Sequence, residues 1–106
     1  MKTPMFASIR KYNAAPTIAD ELVKHQDEIK SVLRPIVGFN AYYLVKTSDG
    51  AVSFTVCDNR AGADESNRVA AGWLKDKLPT FASRTPEVWV GEVSMHLALQ
   101  PEVVTV

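Results

Sequence analysis

Residues 38–58 read GFNAYYLVKTSDGAVSFTVCD and decide the fold. They contain two β-rich runs, which predict strands over residues 39–47 and 51–57. The runs are joined at Asp49-Gly50, a strong hairpin signal because both residues accept the positive φ of a tight turn. The middle of the chain is therefore predicted to be an antiparallel hairpin, and the segments on either side of it set the architecture.

A helical pattern lies on each side of this hairpin. The first begins after Thr17, whose hydroxyl can cap a helix, and ends before Pro35. The second is capped by Asp58 or Asn59 and ends at Pro79. The apolar positions of the first pattern form one helical face, made of Ile18, Leu22, Ile29, Val32, Leu33 and Ile36.

Strand-like runs open and close the chain, over residues 4–12 and 87–99, with a loop expected at 80–86. The predicted order is β-α-β-β-α-β, so we expect an α+β, ferredoxin-like fold with a four-stranded antiparallel sheet. A chain of 106 residues is expected to form one domain over its whole length. Residues 100–106, rich in valine after Pro101, are expected to be a tail that contacts a partner subunit.

Charge and composition narrow the classes of partner. The formal net charge is zero and the charges are mixed along the chain, so no basic stripe favours nucleic acid. No run approaches the ~20 apolar residues of a membrane span, and residues 1–12 do not resemble a signal peptide. The single cysteine, Cys57, adds a weak indication of a cytoplasmic protein.

Both faces of the predicted sheet carry apolar side chains. Tyr43 and Val45 alternate with Tyr42 and Leu44 in the second strand. Helices should cover one face only, and a large apolar face left open to water indicates a partner. We therefore expect a homodimer joined through the sheet faces, although single apolar residues on a wet face are also common.

The pattern GFNAYYLV followed by DGAVSFTVCDNRAGADESNRVAAGWL resembles the antibiotic biosynthesis monooxygenase-like family of the dimeric α+β barrel superfamily. The resemblance implies a dimeric barrel with a pocket between the helices and the sheet. It also implies a cofactor-independent monooxygenase of an aromatic phenol or quinol, with a small apolar or aromatic ligand and no cofactor. The alternative is a non-catalytic small-molecule-binding or stress-related protein of the same fold. A haem-degrading relative would need an axial histidine after Trp73, and residues 74–81 contain none.

Two polar residues are the predicted catalytic pair. Each lies on the side of its predicted helix that should face the sheet, which we call the inward stripe. His25 lies between Leu22 and Ile29 and could take a phenolic proton as a base. Asn67 lies on the inward stripe of the second helix and could hold the resulting oxyanion. The structural alternatives are a core histidine bonded to a carbonyl and an asparagine bonded to backbone.

Tyr43, Trp73 and Arg10 are the predicted substrate-binding residues. Tyr42 and Tyr43 point to opposite faces of their strand, and the register that decides between them is open. Arg10 could hold an acidic substrate group or pair with a carboxylate, and Trp73 could simply fill the core. Two histidines and one cysteine without close spacing predict no metal site.

Overall fold

The structure, a computed structural model, describes residues 4–82 and 85–98. Its four strands are β1 (Phe6–Tyr12), β2 (Phe39–Thr47), β3 (Gly50–Cys57) and β4 (Glu87–Glu92). They form an antiparallel sheet in the order β2-β3-β1-β4. The helices are α1 (Ile18–Lys24), α2 (Gln26–Leu33), α3 (Arg60–Lys77) and the short α4 (Pro79–Ala82). The predicted ferredoxin-like α+β fold is confirmed.

The first predicted helix is divided in two at His25, which has φ −108° and ψ 21°. The hydroxyl of Thr17 makes no capping hydrogen bond, although this residue does precede the helix. Helices α1 and α2 pack against different parts of the interior. Leu22 packs in a cluster with Tyr12 and Leu74, and Leu33 packs in a second cluster with Cys57.

The hairpin turn lies one residue earlier than predicted. Thr47 already pairs with Gly50, so the turn consists of Ser48 and Asp49 alone. Neither Asp49 nor Gly50 has positive φ. Gly50 is required for a different reason, since a Cβ there would lie 1.8 Å from the carbonyl oxygen of Tyr12.

A register shift between Phe39 and Ala41 changes the faces of β2. Without it, strict alternation would place Phe39 on the same face as Tyr43. With it, Phe39 packs under the helices in the same cluster as Tyr42. Tyr43 pairs with Phe54 in the register of β2 and β3, and its side chain is on the opposite face, away from the helices.

After the hairpin, the start of α3 agrees with the prediction, whereas the segment after α3 and the end of β4 differ from it. The side chain of Asn59 caps α3 by accepting a hydrogen bond of 2.8 Å from the N–H of Gly62. Pro79 begins α4, where a loop over 80–86 was expected. Strand β4 ends at Glu92, and residues 93–98 are not in a strand although the prediction extended it to 99. The predicted tail at 100–106 lies outside the described residues.

The sheet has a polar centre on its inner face, the face that the helices cover. The side chains there are Ser8, Arg10, Tyr12, Tyr42, Ser53 and Thr55, with apolar residues such as Phe39, Leu44, Ala51 and Cys57 around them. The outer face is largely apolar, with Ile9, Tyr43, Val45, Val52, Phe54, Val56 and Trp89. In the part of the chain that is described, no helix is long and apolar enough to cross a membrane.

Two glycine substitutions should separate close packing from helix propensity. Gly50→Ala should destabilise the protein by more than about 2 kcal/mol, because the new methyl group would meet the backbone of β1. Gly72→Ala is the matched control, since no heavy atom lies within 4 Å of a Cβ at this exposed position of α3. It should stabilise the protein by roughly 0.5–1 kcal/mol. Urea unfolding of both variants checks the pair, and equal effects would contradict the packing at Gly50.

Candidate functional site

A cavity of about 30 Å³ lies between the helices and the inner face of the sheet. Its volume has room for about one water molecule. The strands contribute mostly polar side chains to its wall and the helices contribute mostly apolar ones. The wall consists of Arg10, Tyr12, Tyr42, Ser53 and Thr55 from the strands, and Leu22, Ile29, Val32, Leu33, Ala70, Trp73 and Leu74 from the helices.

A larger groove of about 180 Å³ adjoins this inner cavity. Leu22, Ile29 and Tyr42 belong to the walls of both. The groove is completed by Val23, Gln26, Lys30 and Leu44.

Arg10 brings a positive charge to the inner cavity. Its side chain is buried, with the residue 5% exposed. Its Nε donates a hydrogen bond of 3.0 Å to the hydroxyl of Tyr12, and its Nη1 donates one of 3.4 Å to Oδ1 of Asn67. Within the described residues no carboxylate forms an ion pair with it. The predicted alternative, an ion pair between Arg10 and a carboxylate, is therefore absent from the described residues. A buried charge without a counter-ion is costly.

Asn67 lies behind Arg10 and not in the wall of the cavity. Its Oδ1 accepts a hydrogen bond of 2.5 Å from the hydroxyl of Ser8, besides the one from Arg10. Its backbone oxygen also lies 3.5 Å from Nη1 of Arg10. Asn67 was predicted on the wall of the pocket, and it lies instead beside the cavity, in contact with the arginine that lines it.

Trp73 lines the inner cavity and carries an unsatisfied donor. Its Nε1 is buried and has no hydrogen-bond acceptor among the described residues. Most buried polar groups in proteins find a partner.

His25 does not stand on the cavity wall, contrary to the prediction. It occupies the break between α1 and α2, where its Nδ1 lies 2.9 Å from Oε2 of Glu28 and its side chain is 34% exposed. The hydrogen bond with His25 lowers the pKa of Glu28, with a further contribution from the charge of Lys77. The imidazole contacts the edge of the Trp73 ring, 5.5 Å between centroids, from outside the cavity. The break in the helix is the reason, because it turns this residue away from the inward stripe.

Tyr42 lines the cavity, whereas Tyr43, the predicted substrate-binding residue, does not. Tyr43 is 59% exposed on the outer face, where the register shift in β2 places it. Burial raises the pKa of Tyr42 to about 12, helped by the neighbouring Tyr12 and opposed by a hydrogen bond with Ser53 and by the charge of Arg10. The phenol of Tyr42 is therefore neutral at physiological pH.

Sequence reasoning missed four polar residues at or beside the cavity, namely Ser8, Tyr12, Ser53 and Thr55, and it left the choice between Tyr42 and Tyr43 open. The signal was present in the alternation of β1, where polar side chains recur at every second residue. In β3 the same period places Ser53 and Thr55 on one face. These patterns identify a polar face, but the sequence does not state that the helices cover it.

The ionisable groups in the cavity wall are one arginine and two tyrosines. Such a wall can hold an anionic oxygen and donate hydrogen bonds to it, but it has no carboxylate or imidazole to act as a base. Across residues 4–82 and 85–98, no three His, Cys, Asp or Glu side chains are grouped so that they could hold a metal ion.

Comparison of the structure with solved proteins identifies the fold. No protein-family model and no curated protein matches this sequence. A protein of unknown function from Nitrosomonas europaea matches with a TM-score of 0.70 and 16% identity over 95% of this chain and 100% of the other. A monooxygenase from Streptomyces coelicolor, ActVA-Orf6, solved with the ligand nanaomycin D, matches at 0.61 and 14% over 93% of each chain. A dimeric ferredoxin-like protein from an uncultured marine organism matches at 0.59 and 17% over 93% of this chain and 95% of its own.

These likenesses agree with the ferredoxin-like α+β fold of the chain. At such identities they show the fold alone, since one fold hosts many functions.

The raised pKa of Tyr42 predicts a loss of stability in alkali. An unfolded tyrosine ionises near pH 10, whereas Tyr42 in the folded protein holds its proton to about 12. Between these values the unfolded state binds fewer protons, so the free energy of unfolding should fall by roughly 1.4 kcal/mol per pH unit. Denaturant unfolding from pH 9 to 12 measures this slope, and Tyr42→Phe should reduce it. Tyr43→Phe is the control, and an equal reduction in both variants would contradict the burial of Tyr42.

Proposed function

We propose that this protein is a cofactor-independent monooxygenase of a small aromatic phenol or quinol that binds between the helices and the sheet. The observation that carries the proposal is the buried guanidinium of Arg10 at the cavity wall, without a carboxylate partner in the described chain. A cation in a site shielded from water favours the ionised form of a bound phenol. The likeness of fold to a monooxygenase adds support by analogy.

The chemistry needs an electron-rich substrate and molecular oxygen. Loss of the phenolic proton raises the electron density of the ring, which can then reduce oxygen. For a phenol with a ring methylene the balance is complete without a cofactor: the CH₂ group and O₂ become a carbonyl and one water. The substrate supplies the electrons, and one oxygen atom is retained in the new carbonyl.

The residues have distinct roles in this proposal. Arg10 holds the phenolate oxygen, and Asn67 fixes the guanidinium through its Oδ1. Trp73 lines the inner cavity beside Arg10, and the ring itself occupies the adjoining groove against Leu22, Ile29 and Tyr42. His25 contacts Trp73 from outside, so we no longer place it as the base in contact with substrate. The substrate then enters as an anion, or loses its proton to water on binding.

A second candidate is a non-catalytic small-molecule-binding protein of the same fold. The absence of a carboxylate or imidazole from the cavity wall favours it. Both candidates require a ligand in the same place, and oxygen consumption separates them.

Oxygen uptake with an anthrone and with a naphthoquinol tests the enzyme. The wild type should consume oxygen faster than the uncatalysed reaction. Asn67→Ala should lower the rate by about tenfold, because the guanidinium loses a hydrogen bond that positions it. His25→Phe serves as the comparison and should change the rate less, because His25 is outside the wall. If the protein binds the ligand but does not catalyse oxygen uptake, the monooxygenase is contradicted and the non-catalytic binding protein remains.

We further propose that two copies pair through the outer faces of their sheets. Tyr43, Trp89 and Val45 are 59%, 51% and 45% exposed there. They lie in a continuous apolar surface of four strands, larger than a soluble monomer commonly leaves open. Beyond β4, Met95 and Leu97 are also exposed, at 89% and 90%, and a second copy could cover them.

Val45→Glu should disrupt the proposed dimer because it buries a charge in the contact. Size-exclusion chromatography with light scattering should give about twice 11.7 kDa for the wild type and a smaller mass for the variant. Val37→Glu is the matched control, since Val37 is 84% exposed in the loop before β2, away from the outer face. A wild-type protein that is monomeric at low micromolar concentration would contradict the proposed dimer.

A further inference from the structure

We propose that the free edge of β2 binds an extended acidic peptide, which adds to the sheet as a further strand and places its carboxylates beside Lys30 and Arg34. This surface lies outside the inner cavity, and its partner is of a different class from the small molecule of the proposed function. Three features of the edge point to such a partner: its unpaired backbone, the groove beside it and the charge of that groove.

The backbone of β2 is paired on one side only. This strand forms an edge of the sheet, whose order is β2-β3-β1-β4, and among the described residues only β3 pairs with it. The pairing is regular from Ala41 to Thr47. In a strand paired on one side, alternate N–H and C=O groups point outward without a strand partner. An extended peptide can satisfy these groups by adding to the edge.

A groove of about 330 Å³ lies along the N-terminal half of this edge. Residues 39–43 of β2 form one wall, and Lys30 and Arg34 of α2 belong to the other. Tyr42 and Tyr43 are both in the first wall although they are on opposite faces of the sheet. The groove therefore opens at the edge itself, and the side chains of an added strand that point towards the helices would lie beside α2.

This edge groove carries uncompensated positive charge. Lys30 and Arg34 are exposed, and neither forms an ion pair with a carboxylate in the described part of the chain. Lys30 donates a hydrogen bond of 3.3 Å to the neutral side chain of Gln26. The two cations are four residues apart on α2, so they lie on the same side of the helix. Asp58 accepts a hydrogen bond of 2.7 Å from Asn40 and is not in the wall of the groove.

The same charge favours an acidic peptide over a second copy of this chain. Two β2 edges that paired with each other would bring the cations of both copies together, and like charges across a strand pair are destabilising. Lysine beside a strand edge discourages such self-pairing in many sheets. In a peptide with carboxylates at every second position, all of them point to one face of the sheet. Lys30 and Arg34 would meet these carboxylates on the face of the helices.

An NMR titration of the isotope-labelled protein with a six-residue peptide that alternates glutamate and threonine tests the proposal. The backbone amide shifts should change most in β2 and at Lys30 and Arg34, and little in β4, the other edge strand. A peptide with glutamine in place of glutamate is the neutral control. At low salt the glutamate peptide should bind at least about threefold more tightly than the glutamine peptide, and added salt should reduce this difference, as expected for exposed ion pairs.

Three variants locate the charge. Lys30→Gln and Arg34→Gln should each reduce the preference for the glutamate peptide, and together they should abolish it. Arg34→Gln is the more selective of the two, because Lys30 also lines the groove of the proposed ligand and Arg34 does not. Lys75→Gln is the matched control: Lys75 is an exposed cation of α3 that does not line the edge groove, and its loss should leave the preference unchanged.

Methylated peptides test the added strand. Methylation of the alternate peptide amides that face β2 should abolish binding, because it removes the hydrogen bonds of the new strand pair. Methylation of the other alternate set should leave the affinity nearly unchanged. Equal binding of the two methylated peptides, equal affinity for the glutamate and glutamine peptides, or shifts confined to β4 would overturn the proposal. Concentration-dependent shifts of β2 amides in the protein alone would make a second copy the occupant of this edge and would also overturn it.

Discussion

The polar centre of the sheet face that the helices cover is the constraint on which the rest of this structure depends. Helices normally cover the apolar face of a sheet and leave the polar face to water. Here they cover Ser8, Arg10, Ser53 and Thr55, while apolar side chains face outward. The polar inner face must satisfy its own hydrogen bonds, and it does so in part through the chain from Ser8 to Asn67 to Arg10 to Tyr12. No helix covers the apolar outer face in the described residues, so a second surface that buries it would be favourable.

The same constraint explains why the interior is divided. The buried apolar side chains form two clusters, one around Tyr12, Leu22 and Leu74 and the other around Leu33, Ile36 and Cys57. Polar strand residues lie between them, where an ordinary sheet would supply valine or isoleucine. The inner cavity is lined by members of both clusters. The cavity is therefore where apolar packing stops, because the sheet provides no apolar partner for the helices at that point.

A site built in this way is suited to one class of chemistry. Its wall offers a fixed cation, Arg10, and the phenol of Tyr42, whose pKa burial raises to about 12. These groups stabilise negative charge on oxygen without supplying a base. Preorganised donors of this kind are effective in water-excluded sites because they need no reorganisation when charge develops. Asn67 contacts Arg10 through its Oδ1, so in the proposed function it positions the arginine and does not itself contact an oxyanion.

The sequence alone determined the order of elements, the antiparallel hairpin and a cap for α3 at either Asp58 or Asn59. These features follow from local pattern, since period, capping and residue type are properties of neighbours in the chain. It did not determine the side of the sheet that the helices cover, the break at His25 or the choice between Tyr42 and Tyr43. The shift after Phe39 reverses the faces of β2, and the break removes His25 from the inward stripe. Both depend on how β2 pairs with β3 and how α1 and α2 pack on the sheet, which are contacts between residues distant in the chain and are therefore decided only by the tertiary structure.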